Sequence, residues 1–313
     1  MSRLKLGSRG SALAMTQARQ VAALLAPIAG EMPSVEGFVT TGDRIAGRRL
    51  EEVGGKGLFT KELDEALKSG RIDAAVHSLK DLPTAMVDGI TLAAIPVRED
   101  PRDAFISLKA RDLKALAPGA VVGTASLRRG AQALHLRPDL HIVTLRGSVE
   151  TRLKRIAEGR IDATFLALAG LRRLGLAQHA ATVIDVHEMP PAPGQGALAV
   201  TGRADDAGVL SLLARISSPA LEAAVAAERA FLGALDGSCR TPIGGFAGFE
   251  DGTLHFLGEV LTPDGKKCWR REESIALGTD AVEQARRLGC KLGEAIRREA
   301  GEDFIQSLEV RTW

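Results

Sequence analysis

Short apolar runs alternate with amphipathic helical patterns over the first two-thirds of the chain. A helix is predicted to begin after Ser11, whose hydroxyl can cap it, and another to cover residues 61–69 and end at Gly70. Strands are predicted at residues 4–6, 35–40 and 74–77. Strands that alternate with helices are typical of parallel sheets covered on both faces, so we predict an α/β fold class.

A five-residue repeat suggests that two parts of the chain are built alike. The sequence Gly-Arg-Ile-Asp-Ala occupies residues 70–74 and again residues 159–163, each time after a helical segment and before an apolar run. Chance can produce so short a repeat, but the shared context favours two similar α/β domains. Proline-containing stretches at 96–103 and 190–194 are typical of crossings, that is, of connections where the chain passes from one domain to another. We therefore expect the chain to leave the first domain at one of them and to return to it at the other.

The pattern changes after Pro219 and predicts a third, α+β domain. A helix is predicted at 220–235, strands at 244–249, 253–261 and 267–275, and a last helix at about 279–299. The expected domains are residues 1–96 with 197–216, residues 97–196, and residues 217–313.

Composition narrows the class of protein. The 313 residues are 45% hydrophobic, 26% charged and only 4% aromatic, with a net charge of +2. No window approaches the roughly 20 apolar residues of a membrane helix, and the N-terminus lacks a signal-peptide core, so we expect a cytoplasmic protein without a membrane partner. Nucleic acid is not an expected partner, because aromatic residues are few and no dense basic run occurs.

The cysteines and histidines give no sign of a disulfide framework or a metal site. The three cysteines match no zinc spacing, and the six histidines include no pair four residues apart. Cys239 lies on a Gly-Ser-Cys-Arg turn, where Arg240 would favour the nucleophilic thiolate. A free cysteine is more often a small buried hydrophobe, and that interpretation is given to Cys268 and Cys290.

Polar groups follow several predicted strands. The run His-Ser-Leu-Lys-Asp at 77–81 places a carboxylate beside an ammonium, which suits proton transfer or stabilisation of a cation, although a solvated loop explains it about equally well. Three strand-to-helix junctions, at 7–11, 123–129 and 145–152, combine hydroxyls with arginines. Because helix N-termini and arginines bind anions, the three junctions together predict a ligand with several carboxylates or phosphates.

Nucleotide binding is not supported. The Gly-Gly-Lys-Gly sequence at 54–57 has Leu50 and Gly57 where a phosphate loop needs glycine and serine or threonine, and no Gly-x-Gly-x-x-Gly follows the first strand. We interpret residues 44–59 as a mobile, glycine-rich loop that could serve as a lid.

Ordered sequence blocks along nearly the whole chain resemble the porphobilinogen deaminase family. The most specific are Val-His-Ser-Leu-Lys-Asp at 76–81 and Pro-Arg-Asp-Ala-Phe at 101–105; the others lie at 8–11, 54–59, 122–129, 145–153, 169–176, 193–198 and 237–244. The resemblance implies two domains like type II periplasmic binding proteins, with the active site in the cleft between them, and a smaller C-terminal α+β domain. It implies a cytoplasmic monomer that condenses four porphobilinogen molecules, with loss of ammonia, into linear hydroxymethylbilane for haem and other tetrapyrroles. No metal is implied.

The resemblance also assigns roles to residues. Asp81 is the implied catalytic group, which handles the proton at the departing amine and stabilises cationic azafulvene and pyrrole intermediates. A dipyrromethane cofactor is implied on Cys239 through a thioether. The other implied cofactor-binding residues are Asp43, Ser78, Lys80, Thr124, Ser126, Arg128, Arg129 and Arg146. The implied substrate-binding residues are Arg9, Ser11, Lys56, Phe59, Arg152, Arg173 and Gln195.

Three positions depart from the commonest family pattern. Glu52 stands where many members have lysine, which removes a partner for a substrate carboxylate; Ser148 and Ser238 replace a frequent asparagine and a frequent glycine.

Two alternative functions stay open at this point. One is a non-enzymatic anion-binding protein of the two-lobed binding-protein fold. The other is a cysteine-nucleophile transferase or hydrolase, in which His77 or His187 would assist Cys239.

Overall fold

The computed structural model of the chain describes residues 3–44, 60–235, 241–302 and 304. The chain divides into two units, Met1–Glu99 with Gly196–Glu222 and Asp100–Gln195 with Ala223–Trp313. One boundary falls within the predicted crossing at 96–103, and the other lies next to the crossing at 190–194. The division into three domains stays a prediction.

The described residues form the following elements in chain order. The strands are β1 (Lys5–Arg9), β2 (Ser34–Phe38), β3 (Ala74–Ser78), β4 (Ile90–Ala94), β5 (Asp103–Ser107), β6 (Val121–Gly123), β7 (His141–Val143), β8 (Ala163–Ala167), β9 (Thr182–Val183), β10 (Leu198–Arg203), β11 (Ile243–Glu250), β12 (Thr253–Leu261) and β13 (Cys268–Ala276). The helices are α1 (Ala12–Ala29), α2 (Thr41–Arg44), α3 (Lys61–Lys68), α4 (Leu127–Leu136), α5 (Val149–Ala157), α6 (Leu168–Arg173), α7 (Ala207–Ala214), α8 (Pro219–Ala234) and α9 (Ala281–Ala300).

The first unit is built on a five-stranded mixed sheet of order β2-β1-β3-β10-β4. Strands β1, β2 and β3 are parallel, whereas β10 runs antiparallel to β3 and to β4. Helix α1 buries Ala18, Val21 and Leu25 in a core shared with strand residues Leu6 and Val76. The helical spacing of these apolar positions is the reason that the segment forms an amphipathic helix against the sheet.

The second unit repeats this arrangement in the sheet of order β7-β6-β8-β5-β9. Strands β6, β7 and β8 are parallel, and β5 runs antiparallel to β8 and β9. In both sheets the antiparallel strand is the first one after the chain crosses into that unit. The mixed α/β fold class predicted from the sequence is therefore confirmed.

The five-residue repeat has the same conformation in both sheets. Gly70 and Gly159 follow α3 and α5 with φ angles of 71° and 68°, a left-handed conformation that glycine adopts without steric cost. The Asp73 carboxylate accepts a hydrogen bond from the backbone N–H of Lys5 at 2.8 Å, and Asp162 accepts one from Val121 at 2.7 Å. Each aspartate thus holds the first residue of the neighbouring parallel strand, β1 or β6. The prediction that the two parts are built alike is confirmed.

The second unit also contains the antiparallel sheet β11-β12-β13 with helix α9 and most of α8. Phe231 of α8, Phe256 of β12 and Leu288 of α9 belong to one buried core. The two helices approach closely, since a Cβ at Gly289 would lie 1.9 Å from the carbonyl oxygen of Ala227. This sheet and its helices confirm the α+β pattern predicted after Pro219.

Among the described helices, none is by itself long and apolar enough to cross a membrane. One bent pair, α7 with α8, satisfies the requirement in length and composition only.

Candidate active site

The predicted site residues of the first unit gather at the carboxyl ends of its parallel strands. Arg9 ends β1, and Ser11 caps α1 by accepting a hydrogen bond from the N–H of Ala14 at 3.3 Å. Asp43 lies in α2 after β2, and Ser78 ends β3. Parallel strands end at one edge of a sheet, where ligands of open α/β sheets bind.

Arg9 and Asp43 form an ion pair at this edge. The Arg9 guanidinium donates two hydrogen bonds to the Asp43 carboxylate, one of them from Nε at 3.3 Å. The carboxylate also accepts a hydrogen bond from the Thr40 hydroxyl at 2.7 Å. Burial alone would raise the pKa of Asp43, but the hydrogen bonds from Arg9 and Thr40 hold that pKa below its usual value. Asp43 is therefore an ionised group that orients Arg9.

Asp81 lies within reach of the same arginine. It ends the short 3₁₀ turn Leu79–Asp81 that follows β3, and its Oδ2 is 3.9 Å from Nη1 of Arg9. Its side chain is 36% exposed, so a ligand can reach the carboxylate. Lys80 in the same turn is half-buried. The turn thus presents an accessible carboxylate near Arg9 and next to Lys80 in the sequence.

A small cavity lined in part by Asp81 brings in Gln17, which is not among the residues predicted from the sequence. Gln17 and Ser78 line it and exchange hydrogen bonds, at 2.9 Å from Gln17 Nε2 and 3.2 Å from Ser78 Oγ. The signal for Gln17 is its position, because it is a polar residue on the buried face of α1. The two side chains hold each other in place next to the Asp81 turn.

His77 also lines this cavity, and its environment keeps the imidazole neutral. Its Nε2 lies 3.0 Å from the hydroxyl oxygen of Thr201. Burial, with a smaller contribution from the charge of Arg9, lowers the pKa of His77 to about 4. His187, the other histidine considered as a partner for Cys239, is exposed, with Nδ1 3.9 Å from Oε1 of Glu272. Neither observation favours the cysteine-nucleophile alternative.

The second unit carries its predicted residues at the equivalent sheet edge. Thr124 and Ser126 follow β6, and Ser126 caps α4 by accepting from the N–H of Arg129 at 3.4 Å. Arg146 follows β7, and Arg152 lies in α5, where its Nε donates to the carbonyl oxygen of Gly147 at 3.0 Å. Arg173 ends α6, the helix that follows β8.

Arg128 and Arg129 are both buried, and both bind the carboxylate of Asp103. Arg128 Nη2 donates to Oδ2 at 2.8 Å, and Arg129 Nη2 donates to Oδ1 at 2.7 Å. Gln195 adds a third donor, from Nε2 to Oδ1 at 2.7 Å. Burial alone would raise the pKa of Asp103, but the two arginines hold it far below its usual value. Asp103 is not among the site residues predicted from the sequence, although a carboxylate that opens the apolar run Ala-Phe-Ile was a signal for it.

Several arginines lie close together in this part of the molecule, and two of them have an unused hydrogen-bond donor. The Nε atoms of Arg128 and Arg129 are buried and have no acceptor within the described part of the chain. The pKa of Arg152 is lowered to about 10, first by burial and then by the charges of Arg129 and Arg146. Several cations thus lie near one another with Asp103 as a shared counter-charge, an arrangement suited to a ligand rich in carboxylates.

Some predicted residues lie outside the described ones. They are Lys56, Phe59 and Cys239, together with the departures Glu52 and Ser238. Ser148, the third departure, is described and caps α5 by accepting from the N–H of Thr151 at 3.3 Å.

Two family models match the chain. Residues 4–211 match the family model described as "Porphobilinogen deaminase, dipyromethane cofactor binding domain", and residues 222–298 match "Porphobilinogen deaminase, C-terminal domain". The chain belongs to the porphobilinogen deaminase family. The resemblance noted in the sequence is thereby confirmed.

Curated relatives match over nearly their full length. The chain is 51% identical to the porphobilinogen deaminase of Caulobacter sp. strain K31 over 311 residues, covering 96% of this chain and 98% of the relative. It is 50% identical to that of Phenylobacterium zucineum, with the same coverage. A solved nutrient-binding protein from Burkholderia cenocepacia bound to methionine is 14% identical, with a TM-score of 0.45 over 69% of this chain and 92% of that one.

The residues present fit the cofactor that the matched domain is named for. A dipyrromethane made from two porphobilinogen units carries four carboxylates, since each unit contributes two. The buried Nε atoms of Arg128 and Arg129 have unused hydrogen-bonding capacity, and Arg146 lies near enough for its charge to lower the pKa of Arg152. Arginine forms paired hydrogen bonds with carboxylates, so these side chains are suited to hold such a group.

Proposed function

We propose that this protein condenses four porphobilinogen molecules, with release of ammonia, into linear hydroxymethylbilane. The observation that carries the proposal is the accessible carboxylate of Asp81, 3.9 Å from Arg9 at the strand-end edge of the first unit. It lies within the 4–211 segment that matches the cofactor-binding domain. A carboxylate in this position suits a reaction in which an amine departs and positive charge develops on a pyrrole.

Asp81 has two tasks in this reaction. As a carboxylate it accepts a hydrogen bond from the ammonium group of the substrate, and it then stabilises the positive charge left on the pyrrole when ammonia departs. For each unit added, the carbon–nitrogen bond breaks with its electron pair leaving on nitrogen, and a carbon–carbon bond forms. The nucleophilic pyrrole carbon loses one proton, which together with the departing ammonia makes up the ammonium ion released. After the fourth addition, water supplies the hydroxyl group of the released hydroxymethylbilane.

The arginines bind the carboxylates of the oligopyrrole. We propose that Arg128, Arg129 and Arg146 hold the cofactor, together with Thr124 and Ser126 at the N-terminus of α4. Arg9, Arg152 and Arg173 would bind acetate and propionate groups of incoming units. Asp43 supports this role by orienting Arg9, as Asp103 supports it by orienting its two arginines. Ser11, Ser78, Lys80 and Gln195 complete the proposed set, with Lys56 and Phe59 from the loop at 44–59.

The dipyrromethane cofactor, when bound, supplies the pyrrole carbon on which the chain begins to grow. We propose Cys239 as its attachment point, because the Gly-Ser-Cys-Arg turn resembles the family's motif and Arg240 favours the thiolate. A monomeric state, a cytoplasmic location and the three-domain division belong to the same proposal.

Catalysis is favoured over simple anion binding by two observations. The curated relatives at about half identity are named as deaminases over nearly their full length. The chain also has a C-terminal segment that matches a deaminase domain, whereas anion binding alone gives no reason for it.

Intact-protein mass spectrometry with peptide mapping tests the proposal. We expect an added mass equal to two porphobilinogen units less their ammonia on the Cys239 peptide. Asp81→Asn should keep that mass but turn over about 10²–10⁴-fold more slowly, because it loses the charge that acts on the departing amine. Asp88→Asn, at an exposed carboxylate, is the matched control and should turn over as the wild type does. A chain that stays unmodified after incubation with porphobilinogen would refute the proposal.

A further inference from the structure

A buried carboxylate of the C-terminal sheet faces the helix that carries Arg128. Glu259 of β12 is only 1% exposed, and its Oε1 accepts a hydrogen bond from Gln132 Nε2 of α4 at 2.8 Å. Its Oε2 accepts from Arg270 Nε at 2.9 Å. On its other side, Gln132 Oε1 accepts from Arg128 Nη1 at 2.9 Å. An unbroken hydrogen-bonded chain therefore connects Arg270, Glu259, Gln132 and Arg128.

The partners of Gln132 determine which way its amide points. A carboxylate and a backbone carbonyl can only accept hydrogen bonds. The amide nitrogen must therefore face Glu259 and the carbonyl oxygen of Pro190, to which it donates at 3.0 Å. The amide oxygen is then left facing Arg128, which can only donate.

We propose that Glu259 is a positioning residue for the cofactor: it fixes the amide of Gln132, and Gln132 in turn holds the guanidinium of Arg128. The inference rests on the proposed function, because it takes Arg128 as a cofactor-binding residue. Glu259 itself would touch neither substrate nor cofactor.

The same group of side chains packs against the strand that follows the cysteine motif. A Cβ at Gly244 of β11 would lie 2.8 Å from the carbonyl oxygen of Pro190 and 3.2 Å from Gln132 Nε2. Gly244 is in the 237–244 block that contains Cys239. Gln132 therefore contacts both the arginine and the start of the strand that leads away from the proposed attachment point.

Stability alone does not explain the charge of Glu259. Burying an ion pair costs desolvation energy that its attraction often only balances, and apolar residues of similar volume frequently stabilise as much. A buried carboxylate differs from an apolar or an amide side chain in one property: it accepts hydrogen bonds and never donates them. That property, together with the carbonyl oxygen of Pro190, sets the amide orientation of Gln132.

Glu259→Gln tests this idea because it removes that property with little change in shape. The new amide can donate to Gln132 Oε1, so the Gln132 amide can turn and present its N–H groups to Arg128. We expect loading of the cofactor mass onto Cys239, followed over time after adding porphobilinogen to apoprotein, to slow by about tenfold or more, as losing a hydrogen bond to a charged group implies. Glu273→Gln is the matched control, because Glu273 is a surface carboxylate of the same sheet that pairs with Lys291.

A double-mutant cycle with Gln132→Leu separates positioning from general destabilisation. If Glu259 acts through Gln132, loading in the double variant Gln132→Leu with Glu259→Gln should be within about threefold of loading in Gln132→Leu alone. Normal loading in folded Glu259→Gln, or in folded Gln132→Leu when Glu259→Gln fails to fold, would overturn the inference, and so would effects of the two substitutions that multiply. Wild-type protein that acquires no mass would instead refute the proposed function.

Discussion

The buried imidazole of His77 predicts that acid weakens the first unit. Burial disfavours the charged ring, so the pKa of His77 is lowered from an ordinary 6.5 to about 4 in the folded chain. The unfolded chain therefore takes up a proton near pH 6.5, whereas the folded chain does not until about pH 4. The stability that this group contributes is fully present above pH 6.5 and is lost as the pH falls from 6.5 towards 4.

The size of the effect follows from the two pKa values. One pKa unit corresponds to about 1.4 kcal/mol, so a depression from 6.5 to about 4 corresponds to at most about 3.4 kcal/mol. Between pH 7 and pH 5 the imidazole of the unfolded chain becomes almost fully protonated, while that of the folded chain stays mostly neutral. Linkage then lowers the free energy of unfolding by about 2 kcal/mol over this range.

Urea unfolding at pH 7 and pH 5 measures the effect in three proteins. His77→Gln removes the titration but keeps a side chain that can hydrogen-bond the hydroxyl of Thr201, so its loss of stability between the two pH values should be about 2 kcal/mol smaller than that of the wild type. His141→Gln, at an exposed histidine, should lose as much as the wild type. Equal pH dependence in wild type and His77→Gln would refute this reasoning.

Three further tests of the packing and charge of the second unit use urea unfolding. Asp103→Asn should cost about 3–5 kcal/mol, because it leaves two buried guanidinium groups without their counter-charge, and a loss below about 1 kcal/mol would contradict that account. Gly289→Ala should cost about 1–3 kcal/mol, since its Cβ would meet the Ala227 carbonyl oxygen, whereas Gly233→Ala has open space and should be neutral or stabilising. Ser126→Ala should cost about 1 kcal/mol through loss of the α4 cap, and Ser126→Asp should restore it.

The sequence by itself was sufficient to predict the fold class and to predict which edge of each sheet carries the candidate site. Helix periods, the Ser11 cap and the terminating glycines Gly70 and Gly159 are local signals, because a helix cap or a left-handed residue involves neighbours within a few positions. The repeated Gly-Arg-Ile-Asp-Ala motif predicted two similar α/β parts, and both copies adopt the same conformation. Arg9 and Asp81 could be placed near each other because parallel strands end at the same edge.

Only the tertiary structure determines which charged groups pair with each other. The arginines at the start of α4 looked like open anion-binding groups in the sequence, but the structure buries both of them on Asp103, which arrives on an antiparallel strand 25 residues away from Arg128. Glu259 is 127 residues from Gln132, and no local pattern marks either as a partner of the other. The reason is physical: hydrogen bonding within a turn or helix depends on nearby residues, whereas the pairing of a buried charge depends on which strands and helices the whole chain brings together.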